Sequence, residues 1–214
     1  MSRLIDEGLK QLSSMLFHMG KIAYQAVNVS INNFIKSTNT YEEVQNLSSI
    51  LTFIAEDIED KVIELIARFQ PVASDLRILK SYMKIAYDLT RYGRYALDIS
   101  QICKKLNGLK ECEDWIRGFI IEMSKEVLKM IDISIELLKD YDVQLIQTIS
   151  EIEKNVDNMY FKYIDDLIEK VPVTTKCTIS SILVVRYLER IADHATYICE
   201  SIVYLVTGQK IFLR

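Results

Sequence analysis

The sequence predicts an all-α protein built as two tandem three-helix bundles, and three observations carry the prediction. Breakers are scarce: six Gly and two Pro in 214 residues, of which 50% are hydrophobic and 26% charged. That balance suits long helices better than a sandwich or a turn-rich α/β fold. Apolar side chains recur at three- and four-residue steps along most of the chain. The chain also repeats. Leu89, Arg91, Ala96 and Ile99 return 99 residues later as Leu188, Arg190, Ala195 and Ile198, and Pro71 and Pro172 hold the same place in each half. The joint falls near residues 106–112, which gives a first bundle over 1–106 and a second over 107–214. A chain of this length can bury a sizeable core.

The first helix is expected over 3–36, on Leu9, Leu12, Leu16, Met19, Ala23, Val27, Ile31 and Phe34. It ends in the polar run Ser37 to Thr40, where Thr40 is placed to cap the next helix and Glu43 to complete a capping box. The second helix, Tyr41 to Phe69, follows Val44, Leu51, Ile58, Val62 and Leu65 until Pro71 breaks it. The third starts at Ser74-Asp75, two residues that compete for its cap, and reaches about Lys105 before Asn107-Gly108 stops it. A fourth helix is expected from about Glu113 to Lys139 and a fifth from about Val143 to Lys170. Pro172 then interrupts, and the sixth covers Thr174 to Thr207 and ends at Gly208.

Composition narrows the function. A net charge of −4 with no Lys/Arg run argues against nucleic acid as a partner. The N-terminal residues lack the apolar core of a signal peptide, and no uncharged apolar run approaches the roughly 18 residues of a membrane span. A soluble, cytoplasmic protein is expected. The four cysteines show no metal-knuckle spacing and read as buried or half-buried thiols of a reducing compartment. A local bridge between Cys103 and Cys112, across a short turn, is the lesser alternative. No P-loop, nucleophile elbow or HExxH motif is present, so no enzymatic activity is expected.

The chemistry concentrates in Arg186 to Glu200, RYLERIADHATYICE. Glu189, Asp193 and Glu200 stand at i, i+4 and i+11, within roughly 40° of one another on a helix, inside an otherwise apolar segment. Such carboxylates must be neutral, paired, or bound to a cation. One alternative is a solvated acidic face with Arg186 and Arg190 as partners. His194 is turned about 100° from Asp193 and reads as a polar packing residue rather than a ligand.

This stretch, followed by SIVYLVTG, resembles the C-terminal signature of the PhoU family, regulators tied to phosphate transport. ARFQPVASDLRILK (67–80) resembles the family's other signature, and the two together span both halves. The resemblance implies two three-helix bundles and Glu/Asp-x-x-x-Asp motifs that bind metal, iron first, with zinc or magnesium as alternatives. Carried over residue by residue, it gives Glu153-x-x-x-Asp157 on the fifth helix and Glu189-x-x-x-Asp193 on the sixth, with Glu200 on the same stripe. Oxygen-only ligands suit magnesium, manganese or ferric iron.

In the first half Thr90 and Arg94 replace the matching acids, and Ser48 and Thr52 stand near the other pair. Asp88 and Asp98 survive as a degenerate first site, Arg94 being a cation that could hold either. Glu56-x-x-x-Asp60 keeps the spacing in a shifted register, and Tyr197 replaces a family Asn. One metal site, in the second half, is the expectation.

The resemblance further implies a negative regulator of phosphate uptake and signalling, a homodimer. It docks on the ATPase subunit of the phosphate-specific transporter or on a phosphate permease, and acts with a phosphate-sensing histidine kinase. It would reach the membrane only through the transporter. The competing class is a metal-binding helical bundle with no transporter partner. In its ferritin-like form that class calls for Glu-x-x-His pairs, and neither His18 nor His194 has a Glu three residues before it.

Overall fold

A computed structural model of the protein describes residues 4–141, 145–171 and 175–213. Among them are six helices and no strand: α1 (Leu4–Lys36), α2 (Tyr41–Phe69), α3 (Ser74–Leu106), α4 (Asp114–Asp140), α5 (Ile146–Lys170) and α6 (Lys176–Thr207). Each helix follows the apolar period that predicted it, with ends shifted by a few residues. The expected break at Pro172 and the expected starts at Val143 and Thr174 lie outside the described residues.

Helices α1–α3 pack on one another, as do α4–α6, and the two sets join along α3 against α6 and α1 against α4. Both halves contribute fully buried side chains to one continuous core, among them Leu16, Met19, Ile58, Leu89 and Tyr92 from the first and Ile120, Val127, Val185, Leu188 and Ile198 from the second. Each large apolar side chain so buried contributes about 1.5–3 kcal/mol.

The register of the central seam is antiparallel. Arg77 Nε donates to the Leu205 carbonyl, Asp88 meets His194, and Tyr95 stacks near Tyr187, so one helix ascends as the other descends. The 99-residue repeat converts the pair Asp88 and His194 into Tyr187 and Tyr95, and it converts Tyr95 into His194, whose rings lie 5.7 Å apart. The seam therefore has a pseudo-twofold axis close to Tyr95 and His194.

Two end signals differ from expectation. Thr40 makes no side-chain cap for α2. Its hydroxyl accepts from Asn33 Nδ2 instead, while Asn39 Oδ1 takes the Tyr41 N–H at 3.2 Å. A capping box does occur at the start of α6, between Thr175 and Thr178. At α3 the N-cap position is Ala73, and Ser74 and Asp75 lie inside the first turn. The C-terminal signals act as read: Asn107 and Gly208 adopt the left-handed conformation after α3 and α6.

Gly108, also left-handed at φ 58°, lets the connection pass so close to the end of α1 that an added Cβ would lie 2.5 Å from the Phe34 carbonyl oxygen. Arg117 fastens the same corner, donating to the carbonyls of Ile35 at 3.1 Å and Leu109 at 2.8 Å.

The cysteine reading is corrected. Cys112 and Cys177 form a disulfide with Cα atoms 5.4 Å apart, whereas Cys103 and Cys199 are free and buried. In an up-down-up bundle the first and third helices run parallel, so the start of α4 and the start of α6 share one end of the molecule. Cys103, at the far end of α3, points to the α1–α2 connection and donates to the Asn33 and Thr38 carbonyls.

Candidate metal centre

Helix α5 presents Glu153 and Asp157 one turn apart on the face that meets α6, and α6 presents Asp193 to them. One carboxylate oxygen from each of the three lies within 4.8 Å of the others. Glu153 is 2% exposed, Asp193 1%, and Asp157 half-buried. Among the described residues no other three acidic, His or Cys side chains converge this way.

Both helices otherwise bury apolar side chains at neighbouring sequence positions, Val156 on α5 and Leu188, Ile191 and Ala192 on α6. The site is thus a gap in the polarity pattern of two otherwise ordinary core faces.

Carboxylates held this close in a poorly hydrated place repel one another unless a proton or a cation intervenes. Arg190 Nη1 meets Asp193 Oδ2 at 2.5 Å and offsets one charge. The rest of the donor set fits a hard cation. Two oxygens on one ion, at about 2.0–2.6 Å each, stand at most roughly 4–5 Å apart, and the three oxygens here lie within 4.8 Å of one another. Zinc ordinarily takes nitrogen or sulfur ligands as well, and the trio supplies neither.

Glu189 does not join the trio. It is 8% exposed, and its Oε2 meets Arg186 Nη1 at 2.8 Å, while the Arg186 guanidinium sits over the Tyr160 ring. The arginine pairing considered for a solvated face thus occurs on a buried one.

Glu200 is also elsewhere: its Oε1 accepts from the Leu213 backbone N–H at 3.1 Å. Seven residues along a helix is about 10 Å of rise, so the angular alignment that put Glu200 on the stripe does not bring it to the same ion.

The first half assembles no counterpart. Asp88 is 2% exposed and its Oδ1 lies 2.8 Å from His194 Nδ1 across the α3–α6 seam. Burial pushes the Asp88 carboxyl above its ordinary range, against the opposing pull of His194 and Lys84. Asp98 is half-buried and is raised by burial too, against Arg94 and Arg91.

Ten residues of α3, about 15 Å, separate Asp88 from Asp98. Arg94 is exposed, and so are Glu56 and Asp60. His194 packs against Tyr87, Tyr95 and Tyr197 in the polar packing role expected of it. Its pairing with Asp88 was not foreseen. The available signal was that both are polar residues on the apolar faces of repeat-related helices.

Comparison with known proteins places these features in a family context. A family model described as PhoU domain matches residues 16–103 and 120–202, one match per bundle. A phosphate-specific transport system accessory protein PhoU homolog of Clostridium acetobutylicum is 31% identical over 218 residues, covering 99% of this chain and 98% of that one. Its counterpart in Pseudomonas aeruginosa is 27% identical over 98% of this chain and 88% of its own. The crystal structure of PhoU from Pseudomonas aeruginosa matches with a TM-score of 0.89 over 96% of this chain and 100% of that chain, at 26% identity.

Proposed function

The chain belongs to the PhoU family, and on that premise we propose that it is a phosphate-responsive regulator of phosphate uptake and signalling, acting by contact with a phosphate transporter. One observation carries the reading. A relative named as an accessory protein of the phosphate-specific transport system aligns over nearly the whole of both chains. No helix among the described residues is long and apolar enough to cross a membrane, which suits a component that docks on a transporter.

In this reading the two bundles act as one rigid platform, because the α3–α6 seam and the shared core leave no hinge between them. Glu153, Asp157 and Asp193 hold a hard cation that neutralises their charge and locks α5 to α6. The outer faces of the helices meet the partner. Phe161 and Ile168, seven residues apart on α5 and 65% and 77% exposed, are the apolar side chains such a contact would bury. The partner is the ATPase subunit of the phosphate-specific transporter, and the effect on uptake is repression when phosphate is plentiful. A phosphate-sensing histidine kinase and a second copy of the chain complete the assembly. The role is that of an accessory protein, not an enzyme.

Affinity capture from cells grown in high phosphate, paired with a deletion strain, tests the proposal. Recovery of the transporter ATPase, and faster phosphate uptake in the deletion strain, are expected. Recovery of a coupled phosphate permease in its place would move the protein to that transporter class. Unchanged uptake with no transporter component recovered refutes the proposal. The metal-binding bundle would then be the surviving reading, with the carboxylate trio as its support.

A further inference from the structure

After Gly208 the chain turns back beside α6 and is fastened there. The Leu213 N–H donates to Glu200 and the Leu213 carbonyl accepts from Ser150 on α5 at 3.1 Å. This strap, α3 and α6 enclose a hollow of about 210 Å³ that is lined by Lys80, Ser81 and Lys84 of α3, by Tyr204 of α6 and by Lys210 of the strap. At about 30 Å³ per water, that is room for one small polyatomic ion with some of its hydration.

Among the described residues, no carboxylate forms an ion pair with Lys80, Lys84 or Lys210. The Lys80 and Lys84 ammonium groups lie over the rings of Tyr204 and Tyr197. The lining includes one acid, Glu200, which is engaged by the strap.

Ser81 is 2% exposed, and its Oγ has no hydrogen-bond partner. A buried hydroxyl left this way is costly. Ser201, on the facing helix, instead satisfies its hydroxyl on the Tyr197 carbonyl of its own helix.

The internal repeat supplies a control. The pseudo-twofold axis carries this hollow to a second one between α3 and α6, lined by Gln101, Ile102, Lys105 and Leu183. There Leu183 stands for Lys84 and Ile179 for Lys80. Ser180 stands for Ser81, and its hydroxyl donates to the Cys177 carbonyl at 3.0 Å. One scaffold position thus occurs twice. Only one copy has gathered lysines and kept a buried hydroxyl waiting for an acceptor.

We infer that the hollow at Lys80, Ser81, Lys84 and Lys210 binds a phosphoryl oxyanion, either inorganic phosphate or the phosphate of a small monoester. Lysine ammonium groups serve as point charges for such an anion, and the Ser81 hydroxyl donates to one of its oxygens. The hollow opens past Lys84 into a wider cleft of about 650 Å³ walled by Tyr87, Tyr95 and Tyr197. The organic part of an ester could lie there against the aromatic rings. The site does not depend on the transporter reading, since binding is measured on the isolated chain.

The test is calorimetric titration of the full chain, in phosphate-free buffer of low ionic strength, with inorganic phosphate and separately with adenosine monophosphate. Saturable binding of at least one is expected. Lys84→Gln should weaken it at least tenfold and Ser81→Ala several-fold, whereas Lys105→Gln, in the repeat-related hollow, should leave it unchanged. Both lysines are exposed, and Ser81 has no hydrogen bond to lose, so the variants keep their fold.

Binding of inorganic phosphate with no gain from the nucleoside identifies the free ion as the ligand. Tighter binding of the monophosphate, lost in Tyr197→Ala, identifies an ester. No saturable binding of either probe overturns the inference. So does a Lys84→Gln, Lys210→Gln variant that binds as well as the parent, or a Lys105→Gln effect as large as that of Lys84→Gln.

Discussion

Replacing Cys112 and Cys177 with serine opens a covalent loop of 65 residues that contains α4 and α5 whole. In the chain-entropy account, a closed loop of that length removes about 4 kcal/mol of conformational freedom from the unfolded chain. Both side chains are small and the exchange is nearly isosteric, so the folded state should change little.

Unfolding entropy near the midpoint is about 2.1 cal/mol/K per residue, hence on the order of 0.45 kcal/mol/K for this chain. The double variant should therefore melt about 10 °C below the oxidised parent. Thermal melts followed by circular dichroism, with and without a reductant, measure it. Reduction of the parent should reproduce the variant, and reductant should leave the variant itself unmoved. If the two bundles melt in separate steps, the shift belongs to the one built from α4–α6. Equal midpoints for oxidised parent and double variant would refute the reasoning, because the loop-closure entropy would then be absent from the stability.

Three further outcomes follow from the structure. Metal analysis of the purified protein beside a Glu153→Gln, Asp193→Asn variant should show loss of the ion. A hundredfold excess over the dissociation constant should stabilise the parent by about 2.7 kcal/mol and the variant not at all, and equal metal content in both would remove the site. Burial raises the Asp88 carboxyl above its ordinary 3.8, so the folded state binds that proton more tightly than the unfolded one. The contribution of the neutral form is full below about 3.8 and is lost as pH rises through the raised value. Asp88→Asn should flatten the decline of melting temperature with pH above 4, and an unchanged slope would exclude Asp88 as its source. Gly108→Ala combines a left-handed backbone with contact against the Phe34 carbonyl and should cost about 2–4 kcal/mol in a denaturant titration, whereas Gly118→Ala, exposed inside α4 with open space for a Cβ, should stabilise by about 0.5–1 kcal/mol.

Local signals were legible in the sequence and long-range ones were not. Asn107, Gly208 and Pro71 end helices whatever else surrounds them, so those ends were readable. Thr40 looked like a cap because the motif is local, but a side chain from α1 captured its hydroxyl. Glu153, Asp157 and Asp193 could be paired because spacing of four fixes a face and the repeat says which helices meet. Spacing also misplaced Glu200, since an angle on a helical wheel carries no height. Glu189 was lost to Arg186, a competitor three residues away whose reach no periodicity encodes. The disulfide and the Asp88–His194 contact join residues 65 and 106 apart in the chain. Reading them needed the parallel course of α4 and α6, which exists only once the second bundle has folded, and the antiparallel register of α3 and α6, which exists only once the two bundles are docked.

The near-symmetry of the seam has a wider consequence. Were the halves separate, identical chains meeting in the same way, every residue at the axis would face its own copy. Any charge placed beside that axis would appear twice, so a substitution suited to one side would be imposed on the other. Covalent joining lifts that obligation. One of two mirrored contacts could become an acid–imidazole couple while its twin stayed a stack of phenol rings. The same freedom let carboxylates gather in the second half and lysines on the first half's third helix. The two repeats are therefore not redundant: fusion turned self-pairing into a division of labour.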